Sequence, residues 1–376
     1  MSSKMLLVAA LLVLGAVVLL FLAGRTPEPT RALPAFNGGT ASTENETPVP
    51  DVEVIADNLE IPWDVAFLPE GGYLVTERAG RLIHIAADGS RRALPIEGVR
   101  TGGEGGLLGI ALHPAFADNR LLYLYLTATA PSGTVNRVER FRFESGTLSD
   151  RTVIIDDIPG ASYHDGGRIA FGPDQHLYIT TGDAGRRTLS QERNSLAGKI
   201  LRVRADGGVA PGNPYGTAVY SWGHRNPQGL AWDEAGRLWS TEHGRSGALS
   251  GFDEINLIER GANYGWPEIE GDERRAGMRA PILHSGARTT WAPASAAILG
   301  NSLFFGGLRG ETLYEAVLEG ERVVELREHF AGSFGRIRTV RVGPDGFLYI
   351  TTSNLDGRGT PRAGDDKLMR INPASL

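Results

Sequence analysis

The chain has 376 residues, 41% of them hydrophobic and 22% charged, a composition that supplies a large apolar core and argues against a disordered chain. A formal net charge of −6 offers no basic surface to a nucleic-acid backbone or an anionic membrane. The absence of cysteine excludes disulfides, thiolate metal sites, thioether-attached haem, iron–sulfur clusters and a lipidated N-terminal Cys, so any redox chemistry requires a bound cofactor.

Behind Lys4 runs an apolar stretch from Met5 to Ala23, with the charged start of a signal sequence and enough length to cross a bilayer. No small-x-small cleavage site follows. Residues 1–24 therefore read either as a signal peptide or as a membrane anchor, and both place the remainder outside the cytoplasm, in the periplasm or the medium. Arg25 to Pro50 is rich in Pro, Thr, Ala and Gly without apolar periodicity and reads as a flexible linker. The folded domain is expected over 51–376.

Within that domain the 50 glycines and 21 prolines punctuate short runs of β-branched and aromatic residues, which predicts strands joined by tight turns. One unit recurs six times: an apolar strand, a Gly/Pro/Asp turn, then a second strand rich in Tyr, Leu, Ile and Thr. The copies are Trp63–Phe67 with Tyr73–Thr76, Gly109–Leu112 with Leu122–Tyr125, and Arg168–Phe171 with Leu177–Thr180. They continue as Gly229–Trp232 with Leu238–Thr241, Ser295–Ile298 with Leu303–Phe305, and Arg338–Val342 with Leu348–Thr351. Starting roughly 45 to 65 residues apart, each copy has room for a four-stranded sheet, so the pattern predicts an all-β fold, a six-bladed β-propeller. A β-sandwich gives no reason for one strand–turn–strand unit to return six times.

A propeller gathers one set of loops at the mouth of its axial channel, and the unusual loop segments are where chemistry is sought. Tyr163-His164-Asp165-Gly166-Gly167-Arg168 places a group that titrates near neutrality beside glycines that admit a ligand; alone, it is equally the signature of a turn histidine bonded to backbone. Gly223-His224-Arg225-Asn226-Pro227-Gln228 packs forked donors into one turn, suited to a planar anion or to an ion pair between blades. Alternation puts Arg336 and Arg338 on one face of a strand, and two neighbouring cations require either acidic residues or an anionic ligand between them. The stretch Gly244 to Tyr264 carries Asp253-Glu254 and glycine-exposed carbonyls, an oxygen set compatible with calcium and equally with a solvated acidic turn.

Together with Gly103-Glu104-Gly105-Gly106-Leu107-Leu108-Gly109, Asn194-Ser195-Leu196-Ala197-Gly198-Lys199 and Asn263-Tyr264-Gly265-Trp266-Pro267, these segments resemble the glucose/sorbosone dehydrogenase family of soluble quinoproteins that use pyrroloquinoline quinone (PQQ), in particular its aldose sugar dehydrogenase branch. The similarity runs from about Leu59 to Ile371. It implies a PQQ- and calcium-dependent oxidation of an aldose at its anomeric carbon to the lactone, with electrons passed on to a soluble or membrane acceptor. His164 would then be the base and Arg225 the group beside the quinone oxygen. Asn226, His243, Arg309, Arg336 and Arg338 would hold the cofactor, and Glu104, Tyr163 and Thr188 would face the sugar. Calcium would take the carbonyls of Gly244 and Arg245, and a further calcium Glu254, Asp253 and the carbonyl of Tyr264.

Three departures from the family pattern matter. Glu104 and Thr188 replace other polar residues at positions where glucose-oxidising relatives contact sugar, so glucose preference is not implied. Arg245 replaces a proline, adding a charge beside the metal. Two other classes stay open at this level: a calcium-dependent propeller lactonase, which has no need of the arginine cluster, and a propeller that binds a sugar or partner without turnover.

Overall fold

The computed structural model describes residues 51–246 and 250–376; the apolar run at 5–23 and the linker at 25–50 lie outside the described residues. Strands are numbered in chain order. The first, β1 (Val52–Ala56), stands apart from its neighbours in sequence and is placed below. Four-stranded antiparallel sheets then follow one another: β2 (Pro62–Phe67), β3 (Tyr73–Glu77), β4 (Arg81–Ile85) and β5 (Arg91–Pro95) form blade one, and β6 (Leu107–Leu112), β7 (Leu121–Ala130), β8 (Gly133–Glu144) and β9 (Thr147–Pro159) form blade two. Blade three is β10 (Ile169–Phe171), β11 (Leu177–Thr181), β12 (Lys199–Val203) and β13 (Val219–Trp222); blade four is β14 (Pro227–Trp232), β15 (Leu238–Glu242), β16 (Glu254–Ile258) and β17 (Leu283–His284). Blade five is β18 (Pro293–Leu299), β19 (Ser302–Gly307), β20 (Leu313–Glu319) and β21 (Arg322–His329).

Blade six joins β22 (Ile337–Val342), β23 (Leu348–Thr352) and β24 (Leu368–Ile371) to β1, which pairs antiparallel with β24 through Val52 opposite Ile371 and Ala56 opposite Leu368. The last blade thus borrows its outer strand from the start of the domain, which closes the ring and leaves no open blade edge at the seam. The expected six-bladed propeller is the fold observed, and the six repeats read from the sequence are the first two strands of each blade.

The repeat has a physical cause. In three blades a threonine of the second strand accepts a hydrogen bond from the backbone of the first: Thr76 from Asp64 at 3.0 Å, Thr180 from Arg168 at 2.9 Å and Thr351 from Thr339 at 3.1 Å. The tyrosine of the second strand packs edge-on against the aromatic that ends the first strand of the following blade, Tyr123 on Phe171, Tyr178 on Trp232 and Tyr349 on Phe67. Two of these phenols donate to the aspartate of their own turn, Tyr178 to Asp174 and Tyr349 to Asp345, both at 3.0 Å, so turn and strand are selected together. The apolar core has no single centre: each buried cluster lies between two neighbouring blades, as with Leu74 and Leu124 between the first two or Phe304 and Ile350 between the last two.

At the axis the blades are tied by charge. Asp64, fully buried on β2, pairs with Arg168 at the start of blade three (2.5 Å) and Arg341 of blade six (2.7 Å), and accepts the backbone N–H of Ile110 in blade two at 3.3 Å. Arg168 in turn donates to the carbonyls of Gln228 at 2.9 Å and Ala294 at 3.3 Å, in blades four and five, and stacks on Trp63 at 4.3 Å. One carboxylate and one guanidinium therefore touch every blade. Burial alone would raise the Asp64 carboxyl, but the charges of Arg168 and Arg341 outweigh it and hold the group below the ordinary carboxylate range.

Candidate functional site

The site begins with a histidine in a conformation that its neighbours impose. His164 has φ of +61°, a left-handed backbone that non-glycine residues adopt at a cost. Glu104 holds it there: the Glu104 N–H donates to the carbonyl of Ser162 at 2.9 Å, and its Oε2 accepts the N–H of His164 at 3.0 Å. Gly103 makes this approach possible, since a Cβ there would lie 2.0 Å from the Ser162 oxygen. On the other side a Cβ on Gly182 would lie 1.9 Å from the His164 carbonyl, so only glycine lets the chain leaving β11 pass.

Asp183, fully buried, then fixes the imidazole: its Oδ1 lies 2.7 Å from His164 Nδ1, and its Oδ2 accepts the indole N–H of Trp266 at 2.9 Å. Burial pushes this carboxyl up, yet its bonds to His164, Trp266 and the N–H of Gly185 leave it lowered overall. With Nδ1 occupied, Nε2 is the nitrogen left for a ligand. Sequence reasoning missed Asp183. It lies two residues beyond the end of β11, past Gly182, where the strand repeat that marks Glu77 and Glu242 as strand ends gives no signal.

His164 lines a cavity of about 930 Å³, together with Glu104, Tyr163, Arg225, Asn226, His243, Gly244, Arg245, Asp253, Arg309 and Arg336. Residues from the loops of all these repeats thus converge, as the propeller reading expects. Arg225 donates to Ser246 at 2.7 Å and to the His243 carbonyl at 3.3 Å, and its guanidinium lies 5.3 Å from the Trp266 ring. Asn226 accepts the N–H of Gly166 at 3.0 Å through its oxygen, leaving its amide nitrogen without a protein partner among the described residues. His243 is half-buried, with Nε2 shielded from solvent and unpaired, and desolvation brings it down to about 4.

Behind the cavity, Arg338 sits in a water-sized pocket of about 20 Å³ with Asp165 and His243. The anion required between the two neighbouring arginines is partly protein: Asp356 lies 2.8 Å from Arg336 and 3.9 Å from Arg338. Arg336 also donates to the Leu308 carbonyl at 2.7 Å, whereas the other contacts of Arg338, to Ser353 and Gln228, are long at 3.3 and 3.4 Å. Arg338 is therefore the less satisfied cation, and burial lowers it to about 9.

Of the expected contacts, one lies outside the cavity lining and two line it with their carboxylates engaged by protein groups. Thr188 is exposed and outside the cavity lining, where Gly185 and Arg187 of the same segment stand instead. Both Asp253 oxygens are engaged by protein: Oδ1 accepts the Gly244 N–H at 2.8 Å, while Oδ2 accepts Thr290, Trp291 and Ala292 at 2.7, 2.6 and 2.9 Å, so this carboxylate staples the 244–246 loop to the 290–292 turn. Glu104 has both oxygens engaged, the second by Arg358 at 2.8 Å; burial would raise it, but these donors bring it down to about 2.

For a metal, no group of three or more His, Asp or Glu side chains exists among the described residues. The Gly244 carbonyl accepts no hydrogen bond among the described residues, while that of Arg245 takes the N–H of Gly251 at 3.3 Å. Glu254 is opposite Glu242 in the β15–β16 ladder; burial and that neighbouring carboxylate push it well above the ordinary range, which a bound cation would relieve.

A buried histidine–carboxylate pair facing guanidinium groups at the mouth of an axial channel defines an enzyme of the propeller class, in which proton removal and anion binding share one cavity. A family model described as Glucose / Sorbosone dehydrogenase matches residues 59–361, and the chain belongs to that family. Aldose sugar dehydrogenase YliI of Escherichia coli is 31% identical over 360 residues, covering 86% of this chain and 93% of that protein. The solved PQQ-bound form of an aldose sugar dehydrogenase from Streptomyces coelicolor is 40% identical with a TM-score of 0.80, covering 85% of this chain and 97% of that one. A putative oxidoreductase (glucose dehydrogenase) from Thermus thermophilus is 46% identical with a TM-score of 0.81, covering 85% and 99%.

Proposed function

We propose that the protein is a PQQ-dependent aldose dehydrogenase that oxidises the anomeric hydroxyl of a sugar to the lactone. The observation that carries this reading is the His164–Asp183 pair, which turns one unpaired imidazole nitrogen into a cavity lined by six arginines. The donor set suits the cofactor, because PQQ is planar and carries three carboxyl groups, and Arg309, Arg336 and Arg338 would hold them. When bound, PQQ supplies the quinone carbon that takes up hydride from the sugar's anomeric C–H.

His164 Nε2 accepts the hydroxyl proton as that hydride leaves, and Asp183 stabilises the imidazolium that results. Arg225 places its guanidinium where negative charge grows, and Asn226 offers its free amide to the same edge. Tyr163, whose ring packs on His164 at 4.7 Å, shields the proton acceptor from bulk water. Glu104 is assigned a positioning role, holding the strained His164 backbone. Calcium would use the Gly244 carbonyl, with Arg245 contributing its own carbonyl; a second ion would use Glu254 with the carbonyl of Tyr264. The apolar run at 5–23 supports an extracytoplasmic location, either exported or anchored.

Titration of purified protein with PQQ and calcium, followed by a dye-linked screen of aldoses, tests the proposal. The quinone absorbance should follow the protein through gel filtration and at least one aldose should reduce the dye. Quinone eluting wholly with small molecules at micromolar concentration would overturn it.

A further inference from the structure

We propose that the aldose oxidised here carries an anionic group remote from its anomeric carbon, and that Arg187 receives it; this rests on the dehydrogenase reading above. Asp183 is the fixed point of the geometry. Besides holding His164 and Trp266, its Oδ1 accepts the N–H of Gly185 at 2.7 Å and its carbonyl accepts the N–H of Arg186 at 2.9 Å. One buried carboxylate therefore sets both the proton acceptor and the tight turn that delivers Arg187 into the cavity lining. The Arg187 guanidinium lies 5.3 Å from the centre of the Trp266 ring, the same indole that donates to Asp183.

Among the cavity arginines, five are bonded to protein: Arg225 to Ser246, Arg245 to Glu270, Arg309 to Ser250, Arg336 to Asp356 and Arg358 to Glu104. The Arg187 side chain forms no hydrogen bond or ion pair among the described residues. Six arginines face only three carboxylates in the lining, and one of those, Asp183, is already shared by His164 and Trp266. If Arg309, Arg336 and Arg338 hold the three carboxyl groups of PQQ as proposed above, the cofactor would leave Arg187 unneutralised. Arg187 lines the same cavity as His164, Tyr163 and Gly185, within reach of a sugar that would present its anomeric hydroxyl to Nε2. A cation stacked on an aromatic ring and lacking a protein partner is suited to a carboxylate or phosphate.

The test compares kcat/KM of PQQ-loaded enzyme for an aldose, the matching uronic acid and the matching 6-phosphate, in wild type, Arg187→Ala and Arg187→Lys. At least one anionic sugar should exceed its neutral parent by about tenfold in wild type, mainly through KM and less so at high salt. That ratio should fall about tenfold in Arg187→Ala and be partly retained in Arg187→Lys. The two anionic arms decide between carboxylate and phosphate. Equal kcat/KM for neutral and anionic sugars in wild type, or a ratio unchanged in Arg187→Ala, overturns the inference while leaving the dehydrogenase reading intact. A loss of PQQ affinity in Arg187→Ala, followed by quinone titration, would place this arginine on the cofactor and overturn it as well. Failure to oxidise any sugar would remove both readings.

Discussion

At the scale of single residues, the site works by saturating some polar groups and sparing others. His164 has one nitrogen tied to Asp183, so His164→Ala should lower kcat by about 10² to 10⁴ while PQQ still binds. Asp183→Asn should lower kcat by about 10² or more with little change in KM, because the amide holds the ring without stabilising its charged form; steady-state kinetics decide both. The two neighbouring arginines should separate. Arg338, with its long contacts, is spare for a ligand, and Arg338→Ala should weaken PQQ capture by about 2 kcal/mol. Arg336→Ala should weaken capture and, in addition, destabilise the fold, since Asp356 and the Leu308 carbonyl lose their donor.

Asp165 gives a pH signature. It is 2% exposed with Oδ2 unpaired, and burial raises it to about 6, against about 3.9 in an unfolded chain. A raised carboxyl favours the native state in its protonated form, so this contribution is complete below about pH 4 and is lost as pH rises through about 6. Denaturant titrations at pH 4, 5, 6 and 7 should show Asp165→Asn gaining on wild type by roughly 2 to 3 kcal/mol across that window. A constant difference would show that the carboxyl titrates alike in the folded and unfolded chain.

At the scale of elements, the two inner strands of blade one are read from local pattern, and the axis is not. Thr76, Asp64 and Trp63 look like ordinary members of a strand repeat, yet Asp64 binds partners 46, 104 and 277 positions away in sequence, the backbone of Ile110 and the side chains of Arg168 and Arg341. Asp64→Ala leaves the buried Arg168 and the half-buried Arg341 without their carboxylate, and the expected loss of stability is about 3 to 5 kcal/mol. Denaturant unfolding should report it as a lower midpoint at unchanged slope. The fourth strands of the blades were equally hard to read: β17 spans only Leu283–His284, and β9 and β21 are largely solvent-facing, so they carry little hydrophobic signal.

For the whole molecule, the decisive contact is the pairing of β1 with β24. It makes Val52–Ala56 part of blade six, 312 positions from its partner in the case of Ala56 and Leu368. A chain beginning at Asp51 should fold and keep activity, whereas one beginning at Asp57 loses the closing strand together with buried Ala56. Thermal unfolding should show the second melting lower and less cooperatively, and equal melting of the two would mean that the ring closes without β1.

The sequence by itself determined the blade count, the class of chemistry and most of the cavity lining. The repeat selects the inner strand pairs through hydrogen bonds and ring contacts local to a blade or its neighbour, and loops such as Tyr163–Arg168 and Gly223–Gln228 are forced to the axis once the ring exists. What only the tertiary structure decided is which polar groups remain unsatisfied. Asp253, expected at a metal, takes donors from Thr290, Trp291 and Ala292, and Arg187, which no sequence motif singled out, enters the cavity lining on a turn fastened to Asp183. Such assignments depend on hydrogen-bond partners supplied by other blades, and a residue's sequence neighbours carry no information about groups that meet it only when the ring closes.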